Sequence, residues 1–439
     1  DVLERTLYNA ALSGIGMKGD RFFYSNVLES SGTERSPWFD CACCPSNVAR
    51  FVPSVPGYTY ARRGSDVYVN LFISSDTTIQ TAGNKVKLIQ QTEYPWKGRV
   101  AIRVEPEKDE KFAVCVRIPG WARNEAVPSG LYTFLTPVRD KPTLKVNGKA
   151  VSPSLDKGYA RIERSWQKGD TIQLDLPMPI RRVVARAEVK ADRGRVALQR
   201  GPLVFCLEGP DNDGKVQNLV IADQAKLRSE YRPDLLHGVV VLTGKAQLVK
   251  RALDGKVIPG GSRAFTAIPY YAWAHRGRAP MAVWAAREPA TARPEPADTL
   301  AYTSKTTASF VHVSLPAIKD QIVPADSADS SSEHLDFWPH KGTTEWVRFE
   351  WKDKHDVSRV KVYWFDDTGR GECHLPKAWQ VLYRTGQGDF APVKNSTPYG
   401  VAKDVFNEVG FEPVRTDAIR IEVSLQDGWS AGVHEVVIE

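Results

Sequence analysis

From Tyr58 to about residue 320 the chain alternates short strand-like runs with turn signals, and that cadence leaves few folds open. Asp66–Ile73 alternates apolar and polar residues with period two. Val100–Val104, Phe112–Ile118, Thr143–Val146, Thr171–Leu176 and Val196–Cys206 follow. Asn147-Gly148 is a strong hairpin dipeptide, and Lys168-Gly169-Asp170 marks another turn. Regularly spaced strands of this kind predict β-sandwich architecture. Near residue 322 the texture changes. The polar run Asp326-Ser327-Ala328-Asp329-Ser330-Ser331-Ser332 reads as a linker or a solvated loop opening a new domain. Strands at Trp346–Trp351, Val357–Trp364, Ala378–Tyr383, Ala418–Leu425 and Val433–Ile438 then predict a second antiparallel β domain. The 439 residues suffice for two to four domains, and no repeat of fixed period is present.

Ahead of Tyr58 the pattern is helical. Leu3, Leu7, Ala10, Ala11 and Ile15 recur at helical spacing, with a stop near Gly14 or Gly16. Phe22–Leu28 reads as a short extended segment. Pro45 suits a first helical position, so a short helix is predicted over Ser46–Val52, broken at Pro53 and Pro56. The N-terminus has neither an initiator Met nor a signal peptide and reads as an entry into a helix, so the chain is expected to start inside a longer protein.

Composition excludes two partner classes. No run of eighteen apolar residues occurs, so no membrane span is expected. The 59 basic and 52 acidic residues leave a net charge of +7, scattered as pairs such as Arg62-Arg63, whereas nucleic-acid binding needs a clustered basic stripe.

Chemistry concentrates in Trp38-Phe39-Asp40-Cys41-Ala42-Cys43-Cys44-Pro45-Ser46-Asn47. Adjacent cysteines rarely bond to each other, because the ring would strain disulfide geometry. The cluster is therefore a metal clasp, a reactive thiol site, or both. Cys115 and Cys206 lie in strand-like runs and read as buried, inert thiols. Nothing suggests a disulfide scaffold, and no Cys-x-x-Cys lies on a thioredoxin-like pattern.

The neighbouring motifs carry a resemblance. Tyr8-Asn9-Ala10-Ala11-Leu12-Ser13-Gly14-Ile15, Phe22-Phe23-Tyr24-Ser25-Asn26 and the cysteine run resemble glycoside hydrolase families 127 and 146, the bacterial β-L-arabinofuranosidases. Arg117-Ile118-Pro119-Gly120-Trp121, Gly194–Val204 and Ile268-Pro269-Tyr270-Tyr271-Ala272-Trp273 look like the β-sandwich portion of the same proteins. The resemblance implies a mainly β chain: the last elements of an (α/α)6 barrel over 1–57, two β-sandwiches over 58–321, and a discoidin-like β module over 322–439. It also implies a retaining exo-glycosidase that releases L-arabinose from plant glycans or oligosaccharides. Cys43 would be the nucleophile and Cys44 a zinc ligand, with Cys41 a further ligand and Cys43 itself on the metal. The family's Glu-x-Cys zinc pair is absent here, and its acid/base Glu is expected upstream, with the rest of the barrel as the partner of this segment. Zinc would hold Cys43 as thiolate at neutral pH.

Tyr24, Asn26 and Trp38 are candidates to line the sugar pocket, Tyr24 and Trp38 having packing roles as the plainer alternative. Arg35 is a weaker candidate for a sugar hydroxyl. Glu29 and Glu34 are the nearest carboxylates in sequence, with surface charge as the alternative reading. The rival to an enzyme is a non-catalytic carbohydrate-binding or scaffold β protein with a structural zinc clasp. A bacterial periplasmic or secreted location is favoured over the cytoplasm.

In the C-terminal region His334, His340 and His374 match no common ligand spacing and read as hydrogen-bonded or solvated. Of Trp338, Trp346, Trp351, Trp364, Trp379 and Trp429, at least half are expected to be buried, the rest inviting a carbohydrate-binding reading. Asp366–Glu372 reads as a charged turn in preference to a calcium loop.

Overall fold

The computed structural model describes residues 1–81, 83–386 and 388–439. It forms two compact units: Asp1–Val249 with Pro259–Pro294, and Lys250–Ile258 with Glu295–Glu439.

The first unit contains the predicted sandwiches. A six-stranded sheet runs Lys149–Val151, Thr143–Val146, Asp170–Asp175, Arg99–Pro106, Lys85–Thr92, Ser75–Gln80. A five-stranded sheet runs Leu155–Asp156, Tyr159–Trp166, Glu110–Arg117, Asp66–Val69, Tyr60–Arg63. Alternation drives their pairing. Val86, Leu88, Val100, Ile102, Val104, Ile172 and Leu174 of one sheet share a core with Val67, Val69, Val114 and Val116 of the other. Asn147 and Gly148 both take positive φ, 49° and 77°, as the tight hairpin between Thr143–Val146 and Lys149–Val151 requires.

The second sandwich portion is an eleven-stranded sheet. The run Val196–Cys206 is two strands, Arg195–Arg200 and Leu203–Glu208, and not one. Gly201, at φ 57°, turns the chain at Gln199-Arg200-Gly201-Pro202, a Gly-Pro turn signal inside the run that the single predicted strand passed over. The main hydrogen-bonded path of this sheet ends on Glu29–Ser30, paired with Met281–Ala282, and on Tyr132–Phe134, paired with Ile180–Ala185, while Arg228–Arg232 branches off it on Val239–Arg251.

The N-terminal segment is helical from Val2 through residue 13 and stops at Gly14. Its middle turn, Thr6–Ala11, is wound as a π-helix. Phe22 makes isolated bridges to Ile15 and Ser36, but the rest of the predicted extended segment to Leu28 does not pair. The next helix is Cys43–Ser54, starting ahead of Ser46. Pro45 sits in its first turn, where its missing N–H has no intrahelical partner to lose. Pro53 falls in its last turn and does not end it, and Pro56–Thr59 adds a further turn.

The second unit is built on a seven-stranded sheet around the 22-residue strand Thr344–Phe365. The polar residues Lys352–Asp356 do not divide it. A register shift between Glu350 and His355 carries the strand through. Lys305–Ala308 also pairs with this strand, so the polar run 326–332 lies within the unit, with Ser327 buried and bonded to Asp404. Only Trp364 and Trp379 of the six tryptophans are buried. Trp346 and Trp351 are half-buried, while Trp338 and Trp429 are exposed, fewer buried than expected because loops carry the latter two and Trp346 faces away from the buried Val347 and Phe349 of its strand. His334 and His340 pair with Asp336 and Glu345 at 3.3 and 2.9 Å. Asp366 accepts from the Thr368 and Leu375 backbone N–H groups and pairs with Lys403, as a charged turn does. Among the described residues no helix is long and apolar enough to cross a membrane.

Candidate active site

The segment that carries the cysteines is fixed to the β framework by buried polar contacts. Arg117 pairs with Glu4 and with Asp1, while the Tyr94 hydroxyl donates to Glu4 at 2.6 Å. Asn9 acts as a two-way clamp: its amide N–H donates to the Pro202 carbonyl at 3.0 Å, and its oxygen accepts the Val204 N–H at 2.8 Å. Arg35 is buried and not free to meet a sugar hydroxyl. Its guanidinium donates to the carbonyls of Ser13, Trp273 and Ala274 and lies over the Phe23 ring, which stacks on Trp273. Burial pushes the Arg35 pKa down to about 10, partly opposed by Glu208. Tyr270 donates to the Val27 carbonyl at 2.8 Å. The motif residues Arg117, Pro202, Tyr270 and Trp273 thus all grip the N-terminal segment.

On that footing the cysteine run is presented outward. Cys43 and Cys44 open the Cys43–Ser54 helix, where unsatisfied backbone N–H groups favour a thiolate. Asn47 turns back to donate to the Cys43 carbonyl at 2.8 Å, and the Ser46 hydroxyl donates to Ala42. The Tyr24 hydroxyl lies 3.1 Å from Cys43 Sγ. Its hydrogen bond, then those of Cys44 and Cys41, lower the Cys43 pKa, while the neighbouring Cys43 sulfur raises that of Cys44. Tyr24 packs edge-on against Phe39, and Trp38 edge-on against Phe22, leaving Trp38 56% exposed. Asn26 is exposed on the loop between Tyr24 and Glu29. Of the three pocket candidates, only Tyr24 touches the cysteines.

The sulfur spacing bears on zinc. Cys43 Sγ is 3.8 Å from that of Cys44 and 4.0 Å from that of Cys41. Two thiolates about 2.3 Å from one tetrahedral zinc stand about 3.8 Å apart. These two spacings suit thiolates sharing one zinc, although among the described residues no group of three or more His, Cys, Asp and Glu side chains is arranged to hold a metal ion. Glu29 is engaged by Arg195 and Arg293, and Glu34 by Arg278, which favours the surface-charge reading. Cys115 and Cys206 are buried, and burial raises both thiol pKa values, as inert thiols require.

Comparisons with known proteins agree with this layout. The GH127 β-L-arabinofuranosidase catalytic domain matches residues 1–57, the GH127 middle domain 66–178 and the family's C-terminal domain 180–286. The non-reducing end β-L-arabinofuranosidase of Bifidobacterium longum is 33% identical over 319 residues, 65% of this chain and 45% of that protein. A solved GH127 β-arabinofuranosidase is 40% identical with TM-score 0.63, over 67% of this chain and 46% of its own. The β-L-arabinofuranosidase Ara127N of Geobacillus stearothermophilus T6 is 38% identical with TM-score 0.58, over 65% and 45%. The chain thus spans less than half the length of these relatives. Three successive domains of one family, matched in order and joined by the buried contacts above, make the chain a member of glycoside hydrolase family 127.

Proposed function

We propose that this chain contributes the nucleophile to a retaining hydrolase of β-L-arabinofuranosides, with Cys43 as the attacking group. The observation that carries it is the Tyr24–Cys43 contact of 3.1 Å at a helix N-terminus, on a segment gripped by the family's own sandwich motifs. Cys43 Sγ attacks the anomeric carbon, forming a C–S bond as the C–O bond to the leaving group breaks. The leaving oxygen takes its proton from a carboxylic acid. That carboxylate then deprotonates water, which forms the new C–O bond and releases Cys43. Tyr24 holds the sulfur in its anionic form and fixes its direction. Cys43, Cys44 and Cys41 are the residues that would hold zinc, whose positive charge would stabilise the Cys43 thiolate. Glu29 and Glu34 are committed to arginines, so the acid/base carboxylate is neither of them. Trp38 offers an open ring face to the sugar.

The test is release of arabinose from an aryl β-L-arabinofuranoside by this chain joined to the remaining barrel segment of a family 127 relative. Cys43→Ala abolishes turnover and leaves folding intact. Undiminished turnover in that variant would refute the nucleophile. Zinc bound in stoichiometric amount, with no turnover on any arabinofuranoside, would favour the structural clasp instead.

A further inference from the structure

Trp338 and Trp429 stand out in the second unit because they are 40% and 39% exposed, yet neither is loose. Trp338 donates its indole N–H to Glu372 at 2.7 Å, and the His312 ring is tilted against it at 5.0 Å. Trp429 stacks on the His374 imidazole, 3.8 Å away and 13° from parallel, so one indole face is covered and the other is left to solvent. The two belong to one end of the β unit. The Ser430 N–H donates to the Glu372 carbonyl, the His374 N–H to the Ser430 carbonyl, and the Phe337 N–H to the Ala431 carbonyl. Between the indoles, Glu372 also pairs with Lys341 at 3.0 Å.

We infer that this end of the C-terminal unit is a carbohydrate-binding site that takes a neutral glycan chain. Three features select that occupant. Flat indole faces suit the C–H faces of sugar rings, and each ring is held before any ligand arrives, so little side-chain freedom is lost on binding. Glu372 and Lys341 cancel one another's charge, which selects against a polyanion or a polycation. Both still lie at the surface with unused acceptor and donor capacity for hydroxyl groups. A protein partner would instead need a contiguous apolar surface, whereas here the indoles are interrupted by an ion pair.

Affinity electrophoresis of the whole chain tests this, in gels containing soluble arabinan, β-1,4-galactan or polygalacturonate. The expected result is retardation by at least one neutral polysaccharide. Trp429→Ala and Trp338→Ala should each weaken it at least tenfold with unchanged melting of the chain, and Cys43→Ala should leave it unaltered. If an alanine variant melts early, Trp429→Phe or Trp338→Phe replaces it and should show a smaller loss. Absence of retardation in both neutral gels would overturn the assignment. So would retention that both tryptophan variants preserve, retention confined to polygalacturonate and removed by salt, or a dimer dissolved by Trp429→Ala. Because Cys43→Ala serves as the control, failure of the proposed hydrolysis and failure of this site are separable.

Discussion

Two stretches of the N-terminal segment meet the first unit in opposite ways. Residues 1–36 are fastened from within: Glu4, Asn9, Ser13 and Arg35 are buried polar groups, and each has its partners on or through the β framework. Residues 37–54 stand outward, with Cys41, Cys43, Trp38 and Val52 exposed. The first stretch invests in immobility and the second in access. Direction at the sulfur therefore comes from bonds made many residues away, to which Tyr24, the Cys41 and Cys44 thiols and the Cys43–Ser54 helix add local support.

That contrast can be broken from either side. The largest effect is expected at the open end: Cys43→Ala should lower arabinofuranoside turnover by at least about a thousandfold, the scale on which removal of a nucleophile acts, with no change in the melting curve. A parallel loss of stability would mean that the cysteine run belongs to the fastened part. Next comes Glu4→Ala, which leaves the Tyr94 hydroxyl without its acceptor and buried Arg117 with Asp1 as its remaining carboxylate, and should cost about 3 kcal/mol in denaturant unfolding of the first unit. Asn9→Ala removes both halves of the clamp on Pro202 and Val204 and should cost about 1–3 kcal/mol. A cost near zero would show that the helix is held by apolar packing alone.

A smaller, pH-dependent effect is expected at His275. Its Nε2 accepts the Met17 N–H at 3.1 Å, which assigns the remaining proton to Nδ1, facing the Ala272 carbonyl. The ring must be neutral to do this, and burial, with Arg35 alongside, lowers its pKa below 6.5. The unfolded chain binds a proton there that the folded one does not, so stability is lost as pH falls below about 6.5 towards the folded value. Melting measured from pH 7.5 to 5 should show that loss in the parent and a shallower one in His275→Gln; parallel slopes would remove His275 from the anchoring set. The smallest effect belongs to Trp38→Ala, within about 0.5 kcal/mol on stability because the ring is largely in solvent. Its turnover loss, if the ring stacks on sugar, should appear mainly in KM.

What could be read from the sequence divides along similar lines. Period-two alternation located most sandwich strands because one face of each is buried, and Asn147-Gly148 was legible because only a few residues tolerate two successive positive φ values. The hairpin at Gly201 was legible in the Gly201-Pro202 dipeptide but was overlooked between two apolar stretches, whereas the unbroken strand through Lys352–Asp356 was not legible, because it passes a polar bulge. Of the site, the cysteines and Tyr24 were visible as residue types beside a family motif. The burial of Arg35 was invisible, because its acceptors are backbone carbonyls of Ser13, Trp273 and Ala274, two of them more than two hundred residues away, and a carbonyl has no letter in the sequence.

The main path of the eleven-stranded sheet, from which Arg228–Arg232 branches, ends on Glu29–Ser30 at one side and on Tyr132–Phe134 at the other. Strands of two and three residues present too few free backbone groups to template a foreign strand, and Glu29 carries its ion pairs with Arg195 and Arg293 on one of them. The peptide that leads from the first helix to the cysteine run thus doubles as a selvedge for the largest sheet in the molecule. A lesion that frees Glu29–Ser30 from Met281–Ala282 would expose an edge to self-association as well as misplace the thiols, so insolubility and inactivity would arrive together.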